Sequence, residues 1–379
     1  KSGYAHFFEH LMFRGSERYT ADEREAIFKA AGADTNAYTS DDRTVYHAVF
    51  SKEDLDKIME IEADRFKHLK YSPEQYKTEA GAVRGEYDKN SASPFSQLYE
   101  KLRETAFKKH TYAHTTMGYI KDIEDMPNQY DYSWQFYNRY YRPEYTTVVV
   151  VGDVQRQQIL GMVNKYFGDW KRGNYVPQIP SEPAQDAPRQ AHVDWPSPTL
   201  PYLVVAYRGP AYSDESKDKA ALDLLAAIAF GQNSDLYQKL VLKEQKVDFV
   251  SPSFDDQVDG ELFAIFSRVK DQKDVDYVRD QILETFKRYT TELVPQDKLD
   301  ATRSRMRYSV ALGMDSSEAI ASILAPYISL RRTPETMNKL FALYTQITPE
   351  DIRAAAAKYF VDNSRTIVTL STKGKGGAE

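Results

Sequence analysis

The sequence of 379 residues contains no cysteine. Disulfide bonds, thiolate zinc ligands, iron–sulfur clusters and a cysteine nucleophile are therefore excluded. A metal ion would have to be bound by carboxylates and histidines, and the chain has only seven histidines. Because a chain without thiols suits both the cytosol and an oxidising space, this absence alone does not assign a compartment.

The sequence also lacks an excess of positive charge and long apolar runs. Its 50 Lys and Arg against 56 Asp and Glu give a net charge of −6, whereas nucleic-acid-binding proteins usually present a basic face. The longest apolar stretches, such as Leu224–Phe230, fall far short of the roughly 18 residues that a membrane span needs. We therefore expect a globular protein with no nucleic-acid partner and no membrane span.

The chain has neither an initial methionine nor a signal-peptide pattern at its start. Lys1 to Tyr4 lead directly into a helix-like segment without a preceding strand. We expect that an N-terminal strand of the first domain and any targeting segment are missing. The localisation is unknown on this basis; the missing start and the absent cysteines favour a bacterial periplasm or envelope, with the cytoplasm as the alternative.

Proline is concentrated in one stretch. Seven of the 17 prolines fall between Pro177 and Pro201. Since proline lacks a backbone N–H and fixes φ, such a run does not form a helix and is poor material for a strand. It predicts a linker over residues 176–201, between a first domain over residues 1–175 and a second over residues 202–379.

The two halves resemble each other at their ends. Each closes with an amphipathic helix and then a β-branched strand: Tyr130–Tyr141 precede Thr146–Val151, and Pro349–Phe360 precede Arg365–Leu370. This repetition indicates a duplicated α+β unit.

Helix starts are marked by two capping boxes. Thr20–Glu23 opens a helix that Gly32 closes, and Ser72–Gln75, with proline at the first helical position, opens a helix that extends to about Lys89. Between these helices, Asn36–Thr39 and Thr44–Phe50 are rich in β-branched and aromatic residues and predict two strands joined by a polar turn.

The most informative motif lies in the first ten residues. His6-Phe-Phe-Glu9-His10 has the pattern H-x-x-E-H. On a helix, His6 and His10 lie one turn apart, about 40° from each other, so that both imidazoles reach one ion. Glu9 is on the same side, close enough to contact a water on that ion. Two histidines, a carboxylate and an open position form the arrangement with which zinc activates water, although an exposed helix can also carry these residues by chance.

A third ligand is expected on a nearby helix. The helix that begins after Ser72 offers Glu79 and Glu86, which are seven residues apart and therefore within about 20° of each other on one face. A solvated acidic face would show the same spacing, so geometry alone leaves both interpretations open.

The run from Gly3 to Ser16 resembles the inverted zinc motif of the pitrilysin/insulinase family of metallopeptidases. In that family the third ligand is a glutamate about 76 residues after the motif, in a Glu-x6-Glu pair; here Glu86 follows His10 by 76 residues and Glu79 begins the pair. Similarity to the two-domain, processing-peptidase-like members covers essentially the whole chain. It implies an α+β fold of two tandem similar domains, each a mixed, mostly antiparallel sheet with helices on one face.

The resemblance implies a role for each matching residue. His6, His10 and Glu86 would bind one Zn²⁺ per chain, and Glu9 would act as the general base in peptide hydrolysis. Glu79 would orient a ligand histidine by accepting its other N–H.

The segment Asn36-Ala37-Tyr38-Thr39 matches the family's substrate-side edge strand. There an extended peptide substrate would add as a further strand, held by backbone hydrogen bonds. The alternative is ordinary sheet structure, because every sheet has an edge.

One departure from the family concerns the second half. Self-sufficient relatives carry an Arg and a Tyr seven residues apart that stabilise the developing oxyanion; Val241 and Asp248 stand at the matching positions here. Neither side chain donates a hydrogen bond at neutral pH. We therefore expect a zinc-bearing endopeptidase subunit that forms a heterodimer with a homologous chain supplying the Arg/Tyr pair.

Two other functions are alternatives. A non-catalytic structural subunit of the same fold would not need the intact zinc motif, and a metal hydrolase acting on a non-peptide would require the family resemblance to be accidental. The remaining histidines lack ligand spacing and are interpreted as ordinary surface or core residues: His47, His68, His110, His114 and His192.

Overall fold

The structure is a computed structural model that describes residues 1–374; residues 375–379 of the predicted second domain lie outside this range. The elements up to residue 175 are α1 (Tyr4–Leu11), α2 (Ala21–Ala30), β1 (Asp34–Thr39), β2 (Thr44–Val49), α3 (Leu55–Lys67), α4 (Pro73–Ser91), α5 (Pro94–Ala106), α6 (Ile120–Asp125), α7 (Tyr130–Tyr140) and α8 (Arg156–Phe167). Those that follow are β3 (Arg189–Trp195), β4 (Tyr202–Arg208), α9 (Lys217–Leu225), α10 (Asp235–Tyr237), β5 (Val247–Ser253), β6 (Leu262–Val269), α11 (Val275–Thr291), α12 (Gln296–Gly313), α13 (Ser317–Arg331), α14 (Glu335–Gln346), α15 (Pro349–Tyr359) and β7 (Arg365–Thr372). Two π-helical segments, Ala226–Phe230 and Gln238–Lys243, flank α10.

The chain forms two compact units. The first unit consists of residues 1–90, 114–179 and 314–332, and the second unit of residues 91–113, 180–313 and 333–374. Each unit is therefore assembled from three separate segments of the chain rather than from one continuous half.

The second unit is built on a five-stranded sheet with the order β3-β7-β4-β6-β5. Only the pair β3–β7 is parallel, and the other neighbours are antiparallel. On one face, Phe263 packs against Phe286 of α11 and against Phe360. The opposite face is covered by α5, whose apolar stripe of Leu98, Leu102 and Ala106 packs against the sheet. The predicted α+β class with a mixed, mostly antiparallel sheet is confirmed, with α5 as an additional layer on the second face.

The linker prediction over residues 176–201 is wrong for its central part. Residues 189–195 form the edge strand β3, which pairs with β7 along its whole length. Pro188 and Pro196 flank this segment, and none of the seven prolines lies inside it. Because only the flanks carry proline, the segment keeps the backbone donors that a sheet requires.

The first unit contains the antiparallel hairpin β1–β2, in which Asp34 pairs with Val49 and Thr39 with Thr44. Within residues 1–374, these strands pair only with each other.

The predicted strand Thr146–Val151 is wrong, because this segment does not form a strand in the structure. β-Branched residues favour extended backbone, but a strand also needs a neighbour with which to exchange hydrogen bonds.

Both predicted capping boxes form. Thr20 Oγ1 accepts from the backbone N–H of Glu23 at 3.3 Å, while the Glu23 carboxylate accepts from the Thr20 backbone N–H at 2.9 Å. Ser72 and Gln75 exchange the same pair of bonds at 3.1 and 2.8 Å.

In the described part of the chain, every helix is too short or too polar to cross a bilayer.

Candidate metal centre

Helix α1 has two chemically different faces. Tyr4, Phe7, Phe8 and Leu11 follow the i, i+3, i+4, i+7 pattern and are at most 2% exposed. They pack into the core of the first unit with α4 and α7. The other face carries His6, Glu9 and His10, so burial of the apolar stripe fixes the direction in which these polar side chains project.

The start of α1 is anchored by close backbone contact. Gly3 precedes the helix with φ at 80°, and a Cβ atom at this position would lie only 2.4 Å from the carbonyl oxygen of Met117. Only glycine fits both the conformation and the space. Ser2 adds two hydrogen bonds to the Asp122 carboxylate, from its backbone N–H at 2.8 Å and from its hydroxyl at 2.6 Å.

Helix α4 brings two carboxylates to the same place. Its buried face includes Tyr76, Glu79, Ala80 and Val83, and the Tyr76 ring packs edge-on against Phe7 of α1 at 5.1 Å. Glu79 therefore lies at the interface of the two helices, whereas Glu86, two turns further on, lies at its margin with a side chain that is 37% exposed.

The side chains of His6, His10 and Glu86 converge. His6 Nε2 and His10 Nε2 each lie 3.5 Å from Glu86 Oε2, and one ligand atom of each residue lies within 4.8 Å of the others. They form the sole such group of metal-ligating side chains in residues 1–374.

This donor set fits a zinc ion. Zinc binds imidazole nitrogen and carboxylate oxygen at about 2.0–2.2 Å in a tetrahedral arrangement, which separates two ligands by about 3.4 Å. The observed separations of 3.5 Å match this value. Burial lowers the pKa of His6, although Glu86 acts in the opposite direction, so the neutral imidazole that binds metals is favoured.

Glu79 lies behind His10 and does not join the ligand group. Its Oε2 atom is 3.3 Å from His10 Nδ1, and its side chain is only 3% exposed. The other carboxylate oxygen, Oε1, forms an ion pair with the guanidinium of Arg14. With Nδ1 facing Glu79, the Nε2 atom of His10 faces Glu86.

Glu9 is held by a hydroxyl group of strand β1. Thr39 Oγ1 donates to Glu9 Oε2 at 2.5 Å and is 3.2 Å from the hydroxyl of Thr44 on β2. Substrate binding through the Thr39 backbone stays a prediction, and the Thr39 side chain makes this hydrogen bond to Glu9.

The other predicted substrate-binding residues lie along β1. The outer edge of this strand has no strand partner within residues 1–374, and Asn36 and Tyr38 are exposed while Ala37 is half-buried. The Asn36 side chain accepts from the backbone N–H of Ala37 at 2.9 Å. An added peptide strand would have to displace this bond to use that N–H.

Val241 and Asp248 lie in the second unit, on a π-helical segment and on β5 respectively. The Asp248 carboxylate accepts a hydrogen bond from Arg268 Nε at 2.6 Å. This position therefore carries a paired acceptor rather than a donor.

Four of the remaining histidines make hydrogen bonds with other protein groups. His68 contacts Asp64 at 2.9 Å, His110 contacts Asp259 at 3.1 Å, and His192 contacts Thr369 at 2.7 Å. His114 Nδ1 lies 2.8 Å from the Thr115 carbonyl oxygen. These contacts agree with their interpretation as ordinary surface or core residues.

Two contributions were absent from the sequence-based prediction: Arg14 as the partner of Glu79, and the Thr39 hydroxyl as the partner of Glu9. Both pairs join segments far apart in the chain. The sequence offers one signal for Arg14, because this residue follows His10 by four positions and so places a cation near the motif. It does not identify the partner of that cation.

Two family models match the chain. The insulinase model (peptidase family M16) covers residues 1–119, and the peptidase M16 inactive domain covers residues 129–306. The first range includes all the residues of the candidate metal centre, and the second includes Val241 and Asp248.

Similar proteins are found in bacteria and in eukaryotes. A protein named zinc protease PqqE from Helicobacter pylori is 27% identical over 379 residues, which cover 98% of this chain and 83% of the relative. The mitochondrial-processing peptidase subunit beta of Caenorhabditis elegans is 28% identical over 214 residues, covering 56% of this chain and 46% of the relative.

Solved structures share the fold. The crystal structure of a protease from Helicobacter pylori matches with a TM-score of 0.90 and 26% identity, covering 98% of this chain and 90% of that one. The periplasmic protease PqqL from Escherichia coli matches with a TM-score of 0.76 over 98% of this chain and 43% of that one. Its identity is 19%, so this second likeness concerns the fold alone.

Proposed function

We propose that this chain, which belongs to the insulinase family of peptidases (peptidase family M16), is the zinc-bearing subunit of an endopeptidase. The observation that carries the proposal is the convergence of His6, His10 and Glu86 at separations that fit one zinc ion, with Glu9 beside them on α1. A structural subunit of the same fold would have no use for this donor set.

The chain's own residues would divide the chemistry among them. A bound zinc ion supplies Lewis acidity, which polarises a peptide carbonyl and makes water more acidic. Glu9 takes a proton from the attacking water and passes it to the leaving amine. The Thr39 hydroxyl donates a hydrogen bond to one oxygen of Glu9. Because the carboxylate is planar, this bond also sets the direction of its second oxygen.

The substrate would be a peptide or an unfolded segment in extended conformation. The open edge of β1 ends at Thr39, which contacts Glu9. A peptide paired with this edge would therefore run past the proposed general base. Because such pairing uses backbone hydrogen bonds, sequence preference would be loose.

The proposal includes a homologous partner chain. The Val241 side chain has no polar hydrogen, and the Asp248 carboxylate is an acceptor already paired with Arg268. Neither stabilises a developing oxyanion, so the Arg/Tyr pair of self-sufficient relatives would come from a second subunit in a heterodimer.

The first test is cleavage of a quenched, unstructured peptide by the zinc-loaded chain, alone and with a homologous chain that carries the Arg/Tyr pair. We expect cleavage only in the mixture, and a loss of at least about 100-fold for Glu9→Gln, which removes the base. Cleavage by the isolated chain would contradict the partner requirement. Absence of cleavage in every mixture, despite one bound zinc, would favour the structural subunit.

A further inference from the structure

Arg14 lies in the turn after α1, four residues beyond His10. Its backbone N–H donates to the carbonyl of Leu11 at 3.0 Å, which ties the turn to the end of the helix. Its guanidinium Nη2 forms an ion pair with Glu79 Oε1, and Glu79 Oε2 lies 3.3 Å from His10 Nδ1. The two oxygens of one carboxylate thus face two side chains from a single short segment.

The two partners of Glu79 differ in their surroundings and their charge. Glu79 is 3% exposed, whereas the Arg14 side chain is 40% exposed. A carboxylate at such a depth requires a compensating partner. His10 is not a permanent cation, and as a metal ligand it would have to be neutral. Arg14 is therefore the permanently charged partner in the ion pairs that Glu79 makes among the described residues.

We propose that Arg14 is a positioning residue of the metal centre. By fixing the carboxylate of Glu79, it holds the His10 ring with its Nδ1–H towards Glu79 and the Nε2 lone pair towards Glu86. Ligand orientation of this kind by outer groups usually changes metal affinity by 10- to 100-fold, roughly. The inference rests on the proposed function, since it concerns the same zinc site.

A purely structural ion pair would have a different signature. If Arg14 only fastened the turn after α1 to α4, its loss would lower the melting temperature and leave the affinity for zinc unchanged in the folded protein. If Arg14 positions His10, its loss weakens zinc binding even where the chain remains folded.

The experiment compares Arg14→Met, Arg14→Lys and Arg18→Met in the full chain. Arg18 is the matched control, because it is a nearby arginine with its own carboxylate partner, Glu60, outside the metal centre. Zinc affinity is measured by competition with a chromogenic chelator, and folding is checked by circular dichroism at the same temperature. The ligand-field absorption of the Co²⁺-substituted chain provides a second readout of ligand geometry.

We expect Arg14→Met to weaken zinc affinity by about tenfold or more and to alter the Co²⁺ spectrum. Arg14→Lys, which keeps the charge but not the planar group, should recover most of the affinity. Arg18→Met should bind zinc like the unsubstituted chain. In a Glu79→Gln background, Arg14→Met should cause little further loss, since the effect acts through Glu79.

Unchanged zinc affinity and an unchanged Co²⁺ spectrum in folded Arg14→Met would overturn the inference, and so would an equal loss in both backgrounds. Neither result would affect the proposed peptidase function, which is judged by peptide cleavage. Conversely, an unsubstituted chain that binds zinc but cleaves nothing with any partner would contradict the peptidase function and leave the role of Arg14 standing. If the unsubstituted chain binds no zinc, both the proposed peptidase function and the proposed role of Arg14 are wrong.

Discussion

Each unit of this protein contains a cluster of acidic side chains, but a lysine lies between the carboxylates of one cluster and two imidazoles lie beside the carboxylate of the other. In the second unit, Lys219 Nζ lies 2.6 Å from Asp223 and 2.7 Å from Asp256, with a side chain only 2% exposed. Tyr344 donates a further hydrogen bond to Asp223 at 2.9 Å. Burial lowers the pKa of Lys219, but the two carboxylates outweigh it and raise the pKa overall, so the cation is part of the fold.

In the first unit, the corresponding polar cluster combines two imidazoles with Glu86, and Arg14 is engaged with Glu79 behind them. The ligand atoms of His6, His10 and Glu86 face one another without a cationic side chain between them among the described residues. The cluster around Lys219 is therefore complete once the chain has folded. The cluster of His6, His10 and Glu86 is a set of donors that a metal ion would complete.

The largest effect, a loss of stability, is expected from removing the Lys219 cation. Lys219→Met leaves Asp223, whose side chain is 11% exposed, and Asp256, at 23%, without their cation, which should cost up to about 3–5 kcal/mol. Thermal unfolding followed by calorimetry would measure this loss, and zinc affinity should not change. Lys217→Met is the matched control, because Lys217 lies on α9 like Lys219 and pairs with Asp351 of α15, but its side chain is 41% exposed. Equal melting temperatures for Lys219→Met and Lys217→Met would show that the buried lysine contributes no more to stability than the exposed one.

Removing the metal should destabilise the first unit alone. At free zinc of 100 times the dissociation constant, binding would stabilise the site by about 2.7 kcal/mol. Hydrogen exchange with and without a chelator should show slower exchange in zinc for α1 and α4 and no change for α9. Equal protection of both units by zinc would contradict the assignment of the site to the first unit.

A smaller effect is expected from the hydroxyl that holds Glu9. Thr39→Val keeps the shape of the side chain but removes the donor, and loss of a hydrogen bond to a carboxylate corresponds to roughly tenfold or more in rate. Peptide cleavage should fall by this factor while zinc affinity stays constant. Thr39→Ser should retain most of the activity, and an undiminished rate for Thr39→Val would show that Glu9 does not depend on this bond.

The features that sequence analysis predicted well depend on local spacing. His6 and His10 are one helical turn apart, so their common direction follows from the helix itself. The capping boxes at Thr20 and Ser72 are likewise set within four residues. The convergence of Glu86 with the histidines required the family resemblance, because it depends on how α4 packs against α1.

The features that were missed depend on contacts between distant segments. The pairing of Arg14 with Glu79 joins residues 65 positions apart, and no local pattern encodes it. The strand predicted at Thr146–Val151 failed because β propensity does not provide a neighbouring strand. Strand β3 was overlooked because the prolines on either side of it dominated the composition of that stretch.

We expect His6, His10 and Glu86 together to bind one zinc ion. Anomalous diffraction at the zinc absorption edge, from crystals of the zinc-loaded chain, would locate that ion. One strong peak per chain is expected, about 2.1 Å from Nε2 of both histidines and from a Glu86 oxygen. A zinc-loaded crystal with no peak at this position, or with its zinc bound elsewhere, would show that these residues are not the zinc ligands.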